Sequence, residues 1–147
     1  MRYRLQLALA LWILAGWMNG HAQSTEVRQA RVIELTADKD SRYRRDGKVT
    51  RTIEAFAGES LVLRVTAVRA RETARDGSIH GLALLDQNSN AVPGWRFFFQ
   101  PGIQEVQVTA PAQPGLYTAV CTVICSDAHE GMSFKLLVTA AKGSDKE

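Results

Sequence analysis

From Val32 onward the apolar positions fall in short stretches with the period of strands, not of helices. In the stretch 61–68, Leu61, Leu63 and Val65 fall on one face and Arg64 and Thr66 on the other, the two-residue period of a half-buried strand. Residues 32–35, 79–85, 95–99, 103–109, 116–121 and 132–139 are rich in β-branched and aromatic side chains and predict further short strands. Turn-forming dipeptides punctuate them at 57–59, 76–77, 93–94, 101–102 and 114–115. Many short strands between closely spaced turns predict an all-β sandwich. No segment repeats at a fixed period.

The ends have a different texture. Arg2 and Arg4 precede an apolar run over 5–18, and the small residues Gly20 and Ala22 flank His21, so residues 1–22 read as a secretory signal peptide. The run falls short of the roughly 20 apolar residues of a membrane span. Export through the Sec pathway to the periplasm is the expectation, and an uncleaved N-terminal anchor is the alternative. Residues 23–30 read as a flexible polar leader, 31–141 as one folded domain and 142–147 as a charged tail. The domain is long enough to enclose a single core.

Removing the signal changes the charge argument. The formal +3 of the full chain falls to +1 without Arg2 and Arg4, which takes away the electrostatic basis for binding nucleic acid. Two basic stretches, 40–51 and 69–75, read as solvated loops diluted by Asp40, Asp46, Glu72 and Asp76. Trp95 and Phe97 to Phe99 read as sheet packing.

The chemistry concentrates near the C-terminal end. The chain has 3 His, 3 Met and 2 Cys; with His21, Met1 and Met18 set aside in the signal, those left are His80, Cys121, Cys125, His129 and Met132. Four of them lie within 121–132. Soft thiolate, thioether and imidazole donors in one short stretch suit copper. A core that used methionine as filler and histidine as surface ornament would scatter them.

The spacing of Cys121, Cys125, His129 and Met132, with His80 upstream, resembles the binuclear copper (CuA) site of cytochrome c oxidase subunit II and of nitrous oxide reductase. Residues 114–117, leading into Cys121, resemble the penultimate strand of cupredoxins. The resemblance implies a Greek-key, cupredoxin-like β-sandwich. It implies two copper ions bridged by Cys121 and Cys125, each ended by His80 or His129, with Met132 and the Val123 backbone carbonyl as weak axial ligands. Three positions depart from the oxidase pattern: Val123 stands in place of Glu, Ser126 in place of Gly, and Gly81 where Ser commonly follows the first histidine.

Three readings of these residues stand side by side. A binuclear centre uses all five side chains. A mononuclear blue-copper site uses His80, Cys125, His129 and Met132 and leaves Cys121 out. A Cys121–Cys125 disulfide fits an oxidising compartment but leaves His129 and Met132 unexplained. The expected role is one-electron transfer, not enzymatic catalysis, with a copper-delivery protein as the alternative. The expected partner is a redox protein such as a c-type cytochrome or a membrane oxidase or reductase. A thiol reductase and a copper chaperone are expected for loading.

Overall fold

Ten strands in two five-stranded sheets carry the fold of the computed structural model, which describes residues 29–141. The expected signal peptide, residues 23–28 of the expected leader and the tail 142–147 lie outside the described residues. In chain order the strands are β1 (Arg31–Ala37), β2 (Tyr43–Arg45), β3 (Lys48–Val49), β4 (Thr52–Phe56), β5 (Ser60–Ala67), β6 (His80–Leu85), β7 (Ala91–Phe99), β8 (Gly102–Thr109), β9 (Gly115–Val120) and β10 (Ser133–Thr139). One sheet runs β3-β2-β1-β5-β8 and the other β4-β10-β9-β6-β7. The β1–β5 and β4–β10 pairs are parallel and the others antiparallel. Among the described residues no helix is long and apolar enough to cross a membrane.

Alternation places the core. Ile33, Leu35 and Ala37 of β1 and Leu61, Leu63, Val65 and Ala67 of β5 are buried, as are Ile53, Leu84, Trp95, Phe99, Tyr117, Phe134 and Leu136 of the second sheet. Trp95 packs in this core as the pattern predicts, and its indole N–H donates to the Thr109 carbonyl at 2.8 Å.

The predicted strands are present, with β2, β3 and β4 in addition, and the first two of these lie where the charge argues for a loop. The stretch 40–51 is a hairpin: Asp46 and Gly47 sit at φ 51° and 74° between paired Arg45 and Lys48, the two-residue turn whose both central residues need positive φ. Tyr43 on this hairpin is buried, with its ring edge-on to Phe134 at 5.3 Å. The expected turn at 93–94 lies inside β7, opposite the register shift between Ala83 and Leu85 of β6. Gly94 at φ 78° absorbs the extra residues there as a bulge.

Candidate metal centre

Strand order brings the soft donors to one pole. His80 opens β6, Cys121 follows the last residue of β9, and Met132 precedes the first residue of β10. These three strands are neighbours in the order β10-β9-β6. The Cys121 N–H donates to the Met132 carbonyl at 3.0 Å, which extends the β9–β10 ladder by one step and closes the loop 121–132 at its neck. A ring nitrogen of His80 and the sulfurs of Cys121 and Cys125 all lie within 4.8 Å of one another, and all three residues are buried.

Within that cluster the two sulfurs are 4.0 Å apart and both cysteines are free thiols. Cys125 Sγ lies 4.0 Å from Met132 Sδ, and Cys121 Sγ lies 3.3 Å from the Val123 carbonyl. The Gly81 amide donates to Cys121 Sγ at 3.4 Å, and Ser41 Oγ lies 3.4 Å from Cys125 Sγ. His80 Nε2 is 2.8 Å from the Val68 carbonyl. A carbonyl only accepts, so Nε2 carries the proton and Nδ1 keeps its lone pair. That Nδ1 is buried without a partner, which costs roughly 1–3 kcal/mol for a polar group left unsatisfied. Burial holds the His80 pKa below its ordinary value, against the opposing pull of the Val68 carbonyl and Asp38, so the ring is neutral where metals bind. Burial likewise pushes the Cys121 thiol up, against the amide of Gly81.

His129 is the candidate that the described arrangement leaves outside the cluster. It begins the short 3-10 turn His129–Gly131, and its Nδ1 lies 3.0 Å from the Ser126 carbonyl. His80, Cys121, Cys125, Met132 and the Val123 carbonyl are brought together; His129 stands on the same loop with its ring turned to its own backbone.

The surroundings hold residues that pattern reading overlooks. Tyr43 donates its phenol O–H to the Gly81 carbonyl, beside His80. Burial first, and the nearby sulfurs of Cys121 and Cys125 after it, raise the Tyr43 pKa well above its usual value, so the phenol stays a donor. The amides of Arg71 and Glu72 both donate to the Cys125 carbonyl, at 3.1 and 2.9 Å, and tie the segment after β5 to the ligand loop. The exposed Arg71–Asp127 pair at 3.3 Å spans the same two segments, but such pairs contribute little. Gly81 itself is a contact point: a Cβ there meets Thr122 Oγ1 at 2.3 Å and the Phe97 carbonyl and Val123 Cγ2 at 3.2 Å. This accounts for glycine at that position.

The donors fit copper. Two cysteine sulfurs, a thioether, a neutral imidazole nitrogen without another partner and a carbonyl oxygen form a soft set around one buried point. The imidazole is oriented by a carbonyl bond on its far nitrogen, as metal-bound histidines are.

No protein-family model matches the chain, and no curated protein matches it in sequence. Solved structures match in fold. Auracyanin A, a "blue" copper protein from Chloroflexus aurantiacus, superposes with a TM-score of 0.54 at 18% identity over 76% of this chain and 100% of its own. A heme-copper terminal oxidase gives 0.50 at 18% identity over 78% and 68%. The copper-containing nitrite reductase of Thermus scotoductus gives 0.51 at 16% over 78% of this chain and 24% of the reductase. The all-β, two-sheet architecture is thus the cupredoxin fold.

Proposed function

We propose that this chain is a periplasmic electron-transfer protein with a CuA-type binuclear copper centre held by His80, Cys121, Cys125, His129, Met132 and the carbonyl of Val123. The observation that carries the reading is the pair of reduced, buried sulfurs 4.0 Å apart, beside the unpartnered His80 Nδ1. Two thiols at that separation suit bridging of two metals. A mononuclear site has no use for the second.

Copper bound there supplies a one-electron couple; the protein supplies a nearly finished frame. Cys121 and Met132 are locked by the strand ladder, Cys125 by the two amides on its carbonyl, and His80 by Val68. Little rearrangement then accompanies a change of one electron. His129 would supply the second imidazole. Exposed Ile124 and Phe98 line a groove of about 670 Å³ beside the loop. They give a redox partner, such as a c-type cytochrome or a membrane oxidase, an apolar surface close to the centre.

The mononuclear reading stays in view because auracyanin A, a blue copper protein, shares the fold as fully as the oxidase does. Metal analysis and electron-spin resonance of the reduced, copper-loaded protein separate them. About two coppers per chain and a mixed-valence signal delocalised over two nuclei are expected. One copper with a single-nucleus hyperfine pattern refutes the binuclear centre, and loss of that signal in Cys121→Ser distinguishes a bridge from a bystander.

A further inference from the structure

Ser41 lies in the turn between β1 and β2, far in sequence from every candidate ligand, and is fully buried. Its Oγ is 3.4 Å from Cys125 Sγ and 2.6 Å from Ser126 Oγ. Ser126 Oγ in turn accepts the Ala128 amide at 3.1 Å. These contacts form a line: Ala128 N–H, Ser126 Oγ, Ser41 Oγ, Cys125 Sγ. With Cys125 a thiolate the sulfur only accepts, so the direction is set from the other end. The Ala128 amide donates to Ser126, the Ser126 hydroxyl to Ser41, and the Ser41 hydroxyl to the sulfur. Hydrogen bonds in such a chain polarise one another.

Two further observations say that the hydroxyl is held there. Ser41 has φ 56°, a left-handed conformation in which Gly or Asn is the ordinary tenant and another residue is strained. Its backbone is pinned on both sides, by its own amide on the Asp38 carbonyl at 3.2 Å and by Arg42 Nη1 on the Ser41 carbonyl at 2.9 Å. Asp38, which accepts from the Asp40 and Arg42 amides and from the Arg44 guanidinium, organises that turn.

We propose that Ser126 and Ser41 are a hydroxyl relay that donates a hydrogen bond to the Cys125 sulfur and raises the reduction potential of the centre. The relay rests on the copper reading above. Cys121 already receives the Gly81 amide; the relay gives Cys125 its own donor from a side chain. A donor on a thiolate withdraws electron density from the metal and favours the reduced state. Ser41 and Ser126 are positioning residues and touch no metal.

The test compares wild type with Ser41→Gly and Ser126→Gly. Glycine suits the φ at position 41, so the first variant relieves strain while removing the hydroxyl. Both variants are expected to retain about two coppers per chain. Their affinity ratio for oxidised over reduced copper should rise about tenfold, a fall in potential of about 59 mV for one electron. Ser126→Thr, which keeps a hydroxyl, should restore the wild-type potential. Infrared spectroscopy of the reduced, copper-free chain reads the bond without metal: the S–H band that disappears in Cys125→Ala should shift in Ser41→Gly, while the Cys121 band stays. If wild type takes up no copper, the copper reading falls and the effect on potential falls with it. If wild type loads two coppers but both variants keep its potential, or the Cys125 S–H band ignores Ser41→Gly, the relay alone is overturned.

Discussion

At Gly81 the ligand loop packs closely on the sheet, and a single methyl there measures how tightly the two are fitted. In Gly81→Ala the new Cβ lies 2.3 Å from Thr122 Oγ1 and 3.2 Å from the Phe97 carbonyl and Val123 Cγ2. The backbone is no obstacle, because Gly81 is not among the positive-φ glycines. The cost is therefore steric: the Thr122 hydroxyl must retreat by about 1 Å to reach ordinary contact. Overpacking of this kind costs about 1–3 kcal/mol, against about 0.4–1 kcal/mol gained from a stiffer unfolded chain. Thr122→Ala behaves differently. Its hydroxyl is buried without a partner, so removing it relieves an unsatisfied group and roughly offsets the lost methyl contact. The double variant should then recover most of what Gly81→Ala loses, with a coupling of about 1–2 kcal/mol. The assay is urea unfolding of the reduced, copper-free protein for all four corners of the cycle at constant m. Copper loading should follow the same order, since Thr122 sits between Cys121 and Val123. An additive cycle, or a Gly81→Ala midpoint equal to wild type, refutes the close fit.

Tyr43→Phe keeps the edge-on contact with Phe134 but orphans the Gly81 carbonyl; a loss of about 1–3 kcal/mol is expected from the same urea assay. Acid should destabilise the copper-free protein through His80. The unfolded chain takes up that proton near pH 6.5, whereas the folded chain, with its pKa lowered by burial, takes it up only at lower pH. The contribution is therefore present in full above about pH 6.5 and is lost as pH falls towards the folded-state value. His80→Gln should flatten that part of a stability-against-pH curve. With sulfurs 4.0 Å apart, the copper-free protein in air should form a Cys121–Cys125 disulfide that blocks copper uptake until a reductant is added. Free thiols counted alongside uptake check this, and full uptake with both thiols free after air exposure refutes it.

The fold class was legible because inward and outward residues alternate cleanly in β1, β5 and β10. That His80, Cys121, Cys125 and Met132 come together was legible because soft side chains are so few; that the His129 ring turns to the Ser126 carbonyl was not. What escaped did so for physical reasons. Tyr43 sits among five basic residues of the stretch 40–51, and their charge masks a hairpin whose Asp46-Gly47 turn is itself a sequence signal. Ser41 and Asp38 carry no periodicity; only the third dimension shows that the turn they build rests on the ligand loop. The position of Val68 as acceptor for His80 depends on how the end of β5 meets β6 of the other sheet, which no local pattern encodes. Pro93-Gly94 is a turn dipeptide and predicts a turn, but tertiary pairing with β6 overrides it and makes a bulge at Gly94.

The two sheets divide the work at this pole. The sheet β4-β10-β9-β6-β7 contributes the donors, because three neighbouring strands begin or end there. Segments of the other sheet contribute the groups that hold those donors. Val68, just beyond β5, orients His80; Ser41, between β1 and β2, contacts Cys125; Tyr43 of β2 fastens the backbone at Gly81. The candidate centre is therefore a seam between the sheets. A metal bound by the native donors and not by the unfolded chain stabilises by RT ln(1 + [L]/Kd). Because the frame spans both sheets, that gain should protect amides of β5 and β2 from hydrogen exchange as well as those of β6, β9 and β10. Protection confined to the donor-bearing sheet would mean that the bonds from Val68, Ser41 and Tyr43 do not transmit the constraint.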